Sequence, residues 1–139
     1  MNVFDPFVIL SAYKVGYPEE LNQARHRRLG IQLHALHLET LEVTYVLEKV
    51  PCPAFLVDLP QGEASPHFEK VASIANWFGQ ATLLSIGADG SASLLLLGPT
   101  LDGEPAFRVS LGPWHETDRA TAARRARYVE HEGRFYVAG

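Results

Sequence analysis

The chain has one cysteine, Cys52, and this scarcity removes two kinds of structure. An internal disulfide needs a second thiol, and so does a sulfur-rich zinc cluster. Flanked by Pro51 and Pro53, Cys52 reads as a small packing residue. Long apolar runs are also missing. The longest, from Ala92 to Gly98 around Leu94, Leu95, Leu96 and Leu97, falls far short of the roughly 20 residues a membrane helix needs. The opening MNVFDPFVIL lacks a basic leader, a long apolar stretch and a small-residue cleavage site, so a cytoplasmic location is expected. Positive charge is not in excess: the net charge is -4 and the pI about 5.8, so no binding to nucleic acid over the whole surface is expected. G-x-S-x-G, P-loop and G-x-G-x-x-G motifs are absent, which leaves an elbow serine, a Walker phosphate site and a Rossmann cofactor without support. What remains is ordinary: 139 residues, 47% apolar and 20% charged, the profile of a single globular domain over residues 1–139.

Hydrophobic patterning divides the chain into alternating elements. Phe7 to Tyr13, rich in β-branched and aromatic residues, predicts a buried strand that ends at Gly16-Tyr17-Pro18. Pro18 opens a helix with Glu19 and Glu20 in its first turn, and Leu21, Ala24, Leu29, Leu33 and Leu36 recur at helical spacing to about Leu38. Leu41, Val43, Tyr45 and Leu47 alternate as a strand does, and Pro51-Cys52-Pro53 interrupts before another strand from Ala54 to Leu59. Ser65-Pro66 starts a second helix with Phe68, Val71, Ala72, Ala75 and Phe78 on one face and Gly79 at its end. Strands Ala81–Ile86 and Ala92–Leu97 are joined through Gly87 to Gly90. A second hairpin through Gly98 to Glu104 leads to Phe107–Leu111. Asp118 to Arg127 reads as a short surface helix, and Tyr128-Val129 with Arg134–Val137 as a last hairpin around Glu132-Gly133. The order β-α-β-β-α-β predicts an α+β, ferredoxin-like sandwich, with both helices on one sheet face and additional C-terminal antiparallel strands.

The chemistry-bearing residues are few. Asn22, Arg25 and His26 share one helix surface, which reads either as a solvated basic face or as an anion site built from amide and guanidinium donors. His34 and His37 lie at a helical spacing that two metal ligands can use, but no further ligand pattern accompanies them, and no metal is expected. Trp77 and Phe78 fit a core, while Gln80 just past the helix end is free to face a pocket. Tyr45 and Glu48, near a strand end, read either as ordinary surface polar residues or as a pair that orients a cationic ligand.

An ordered set of segments resembles a known family. Ser11-Ala12-Tyr13-Lys14 resembles the opening Ser-Ala-aromatic-basic strand end, and Glu20-x-Asn22-x-x-Arg25-His26-Arg27 the first helix, of the bacteriophage S-adenosylmethionine (SAM) lyases, formerly called SAM hydrolases. Weaker similarity continues through Phe78-Gly79-Gln80, Asp102-Gly103, Gly112-x-Trp114-x-Glu116 and Gly133-Arg134-Phe135-Tyr136-Val137, so nearly the whole length is covered. Ser-Ala-Tyr, Asn-x-x-Arg-His and Phe-Gly-Gln also resemble a bacterial domain family of unassigned function.

The resemblance implies a homotrimer with a ferredoxin-like core and active sites between subunits. It also implies intramolecular cleavage of SAM to 5′-methylthioadenosine and L-homoserine lactone, depleting host SAM against restriction-modification. No cofactor is implied, since SAM is the substrate. By the same resemblance Ser11, Ala12, Tyr13 and Asn22 form and anchor a pocket wall, Arg25 and His26 orient substrate or brace that wall, and Phe78 and Gln80 close the pocket. Tyr45 matches the family's pocket tyrosine. The family's active-site glutamate aligns with Pro51-Cys52-Pro53, so either the nearest acid, Glu48, takes that role through a loop shift, or this chain lacks the group. Two other readings stay open: a non-catalytic SAM or nucleotide sensor, and an inhibitory protein acting on a host enzyme such as SAM synthetase.

Overall fold

A computed structural model describes residues 5–80, 82–97 and 105–139. The expected start of a strand at Ala81, the turn from Gly98 to Glu104 and the Asp102-Gly103 similarity lie outside the described residues. The elements in chain order are β1 (Phe7–Leu10), α1 (Glu19–His34), β2 (Thr40–Leu47), β3 (Val50–Asp58), α2 (Phe68–Trp77), β4 (Thr82–Ile86), β5 (Ser91–Leu97), β6 (Pro105–Thr117), α3 (Arg119–Ala122), β7 (Arg127–His131) and β8 (Arg134–Ala138). A single 3₁₀ turn, Gly62–Ala64, precedes α2.

The open ferredoxin-like sandwich expected from the sequence is not what forms. The eight strands close into an antiparallel barrel in the order β1-β3-β2-β7-β8-β6-β5-β4, with β4 returning to β1. The C-terminal strands are therefore not appended to a finished sheet. They join its two edges, which would otherwise present unpaired backbone.

Closure depends on β6. Its first part pairs with β5 and its last residues, Trp114 to Thr117, with β8. Between them the register slips: Ser93 faces Ser110 while Ala92 faces Gly112, so Leu111 is an extra residue that bends the strand. Gly112 occupies the left-handed region at φ 92, and a Cβ there would meet the Gly139 backbone at 3.0 Å. Only glycine fits the bend.

Alternation along the strands separates two cores. One face of β1, Phe7 and Ile9, points into the barrel with Val43, Leu56, Leu84, Trp114 and Tyr136. Trp114 stacks on Tyr136 at 6.2 Å and meets the edge of Phe7 at 6.1 Å. The other face, Val8 and Leu10, packs outward beneath the helices, against Leu29 and Leu33 of α1 and Val71, Ala72 and Ala75 of α2. The two helices thus cover one side of the barrel wall.

The prolines of β3 do not interrupt it. Pro51 and Pro53 pair with Val46 and Thr44 inside the strand, because β1 stops at the Leu10–Phe55 pair and leaves this half of β3 with one neighbour. Pro53 points its carbonyl at the Ser11 hydroxyl, 2.7 Å away, so its nitrogen also faces away from β2 and no ladder bond is lost. The reversal falls earlier, at Glu48 and Lys49, both left-handed at φ 50 and 67, which is the geometry of a tight two-residue hairpin. The expected hairpin at Glu132-Gly133 joins β7 to β8. The expected helix from Asp118 to Arg127 shrinks to α3, capped by the Asp118 carboxylate on the Thr121 amide at 2.7 Å, and α1 ends at His34 rather than Leu38. No described helix is long and apolar enough to cross a membrane.

One end of the barrel is acidic. Asp5, Glu39 and Asp58 line a cleft of about 240 Å³ with Phe7, Thr40, Leu41 and Leu56. Burial, then the Glu39 and Asp5 charges, push the Asp58 carboxyl above its usual 3.8. The native state then holds more protons than the unfolded chain between 3.8 and the raised value, so stability falls as pH rises through that window. Asp58→Asn is accordingly expected to be more stable than the parent in urea denaturation at pH 7, with the advantage vanishing below 3.8. A variant no more stable at pH 7 contradicts this reading.

Candidate functional site

The opposite end of the barrel is a mouth. Beyond Leu10 the chain continues over the barrel end as Ser11 to Val15, and beside it lie the β2–β3 hairpin and the start of β4. Inward positions of neighbouring strands meet there: Ile9, Ser11 and Tyr13 from the first segment, Tyr45 and Leu47 from β2, Val50 and Cys52 from β3, and Thr82 from β4. With Lys14, Glu48, Gly79 and Gln80 they enclose a cleft of about 370 Å³. That volume falls in the range of small-molecule sites, and the mouth of a barrel is a common place for one.

Five of the residues expected from the sequence line this cleft: Ser11, Tyr13, Tyr45, Glu48 and Gln80. Four others form the layer behind it. Asn22, buried inside the first turns of α1, accepts the Lys14 amide at 2.9 Å and donates to the Lys14 carbonyl at 3.1 Å. Arg25 donates from Nε to the Ala12 carbonyl at 2.8 Å and from Nη2 to the Phe78 carbonyl. Its guanidinium also lies 5.1 Å from the Tyr17 ring and 5.4 Å from the Phe78 ring. Ala12 and Phe78 are buried in the wall.

Asn22 is thus buried against backbone, and Arg25, half-buried, directs two of its five donors to backbone carbonyls. His26 lies outside the cleft: it stacks on Phe55 at 4.4 Å, meets the edge of Tyr13, and holds Nε2 2.6 Å from Glu42.

Within the cleft each polar group has a defined state. Burial pushes the Tyr45 phenol up, and Arg127, donating to its oxygen at 3.3 Å, opposes that shift. The phenol keeps its own proton to donate. Tyr13 is also pushed up, by burial and then by Glu19, which accepts its hydroxyl at 2.9 Å and leaves its ring as the surface presented to a ligand. Burial and the Glu19 charge push the Cys52 thiol up, so it stays protonated at neutral pH and is a poor nucleophile. Gln80 donates to the Tyr13 carbonyl at 3.1 Å. Lys14 contributes the cleft's ammonium and Glu48 its carboxylate; no histidine lines it.

Sequence reasoning missed Ile9, Leu10, Lys14, Val15, Leu47, Val50, Cys52, Gly79 and Thr82 as lining residues. The signal for several was present: the period of two that places Ile9 inward carries on through Ser11 and Tyr13, and Val50 alternates with Cys52 in the same way. Among the described residues no group of three or more His, Cys, Asp or Glu is arranged to hold a metal ion.

The rim is apolar. Val15 (87% exposed), Leu47 (42%) and Val50 (48%) line the cleft and still face solvent. Leu96 pairs with both Thr82 and Phe107, so Phe107 (63% exposed) continues the inward face of β4 and β5 beyond the mouth.

The chain matches no family model and no curated protein in sequence.

Asn22 carries the wall: Asn22→Ala removes the partners of both Lys14 backbone groups, a loss of about 1–3 kcal/mol. Urea denaturation measures it, and a loss below about 0.5 kcal/mol would show that the Ser11–Val15 segment is held by something else.

Proposed function

We propose that this protein is a SAM lyase acting in the cytoplasm. The observation that carries the reading is the convergence of Tyr13, Tyr45, Glu48 and Gln80 on one cleft, from segments far apart in the chain. The cleft offers aromatic faces and a carboxylate, which suit a sulfonium and an ammonium, and no paired nucleophile and base.

That poverty fits the reaction. A carboxylate oxygen of SAM's own methionyl group forms a bond to Cγ, the Cγ–S bond breaks, and its electron pair stays on sulfur. The sulfonium becomes the neutral thioether of 5′-methylthioadenosine, the methionyl part closes to homoserine lactone, and no proton is transferred. The enzyme's work is to hold the chain folded so that oxygen and Cγ are in contact, and to exclude the water that would solvate the carboxylate. Glu48 takes the substrate ammonium, the Tyr13 and Tyr45 rings flank the sulfonium, and Gln80 bounds the adenosyl side. Neither a metal nor a cofactor has a part in this step.

The apolar rim suits a second copy covering each mouth and completing a water-poor site between subunits, in the homotrimer that the resemblance implies. Consumption of SAM in a host cell would starve SAM-dependent restriction and methylation, the biological role this activity serves.

Incubation of the pure protein with SAM, followed by liquid chromatography with mass detection, is expected to yield methylthioadenosine and homoserine lactone. Glu48→Gln should lower turnover about 100-fold, equivalent to ~2.7 kcal/mol of lost stabilisation, with the fold intact. SAM bound but left intact selects the non-catalytic sensor instead. SAM neither bound nor cleaved selects the protein-inhibitor reading.

A further inference from the structure

The mouth is electrically polarised. Lys14 is the ammonium lining the cleft and Glu48 its carboxylate. They belong to segments that follow β1 and β2, which flank β3 in the barrel.

Lys14 is held in place from two sides. Asn22 fixes its backbone through both the amide and the carbonyl. At the far end of the side chain, Nζ rests 3.4 Å from the Gly79 carbonyl. Gly79 is left-handed at φ 74, and a Cβ there would meet Nζ at 2.6 Å. A residue with a side chain at that position would displace the ammonium. One carbonyl satisfies only one of its three donors, which leaves two for a ligand in the cleft that Lys14 lines.

Resting on the SAM reading above, we propose that Lys14 is a specificity-determining residue that binds the α-carboxylate of the substrate while Glu48 binds the α-ammonium, so that the mouth recognises an α-amino acid head group as a zwitterion. The two charges of such a group hang on one carbon, so one ligand group can meet the cation and the anion that line the same cleft. As the carboxylate oxygen bonds to Cγ the charge disappears, so the Lys14 contact acts mainly on binding and releases the lactone once formed.

The test uses two probes that do not react: S-adenosylhomocysteine, which keeps the amino acid head group, and its decarboxylated counterpart. Isothermal calorimetry is run on the parent, Lys14→Met and Lys14→Arg. Lys14→Met should weaken S-adenosylhomocysteine about tenfold and the decarboxylated probe less than about twofold, with Lys14→Arg restoring most of the loss. Equal weakening of both probes, or no weakening of either, overturns the assignment of Lys14 while leaving the pocket reading intact. A parent protein that binds neither probe overturns the pocket reading and this inference with it.

Discussion

Closure of the sheet is the constraint from which the rest follows. The four strands β4-β1-β3-β2 left as an open sheet would expose two edges, and here β7, β8, β6 and β5 bridge them. The bridge requires one strand to serve two neighbours in succession, and β6 does so by bending at Leu111 and Gly112. Once the sheet is closed, alternate side chains have only two destinations. Inward ones fill the barrel around Trp114, and outward ones on β1, β3, β4 and β5 pack beneath α1 and α2. An eight-stranded barrel has an interior that side chains fill, so open space for a ligand arises where the filling runs out, at an end.

The two ends differ in character because different loops cap them. At one, Asp5, Glu39 and Asp58 crowd three carboxylates into a narrow cleft, which costs stability at neutral pH. At the other, the polar residues of α1 turn toward backbone. Asn22 and Arg25 between them satisfy groups of Ala12, Lys14 and Phe78, tying the segment after β1 to the segment after α2. The mouth is thereby bounded by chain that is outside the sheet ladder and is held by side-chain hydrogen bonds from α1. Its lining side chains can then be arranged for a ligand rather than for the fold.

Much of this was legible in the residues. The order of elements through β4 follows from periodicity and from the punctuation at Pro18, Ser65 and Gly79, and five of the lining residues follow from the family resemblance. The closed topology did not follow, because nothing local to β7 or β8 says which edge each will meet; that pairing is settled by barrel geometry across the whole chain. The Pro51 and Pro53 pair was misleading for a related reason. Proline forbids a central position in a sheet, but whether a stretch is central depends on where its neighbour stops, and β1 stops at Leu10. The turn at Glu48-Lys49 was hidden because it contains no glycine or asparagine, although both residues adopt left-handed backbone. The polar cluster of α1 looked like a surface or an anion site because spacing along a helix does not reveal the carbonyls opposite it.

The central claim is that the barrel mouth, and not the acidic end, binds an adenosyl ligand. Hydrogen–deuterium exchange with and without S-adenosylhomocysteine tests it directly, because amide protection reports where a ligand settles. The account predicts added protection over residues 9–15, 45–52 and 79–82, with residues 37–41 and 58–60 unchanged. Protection confined to the acidic end, or none at any ligand concentration that saturates binding, would contradict it.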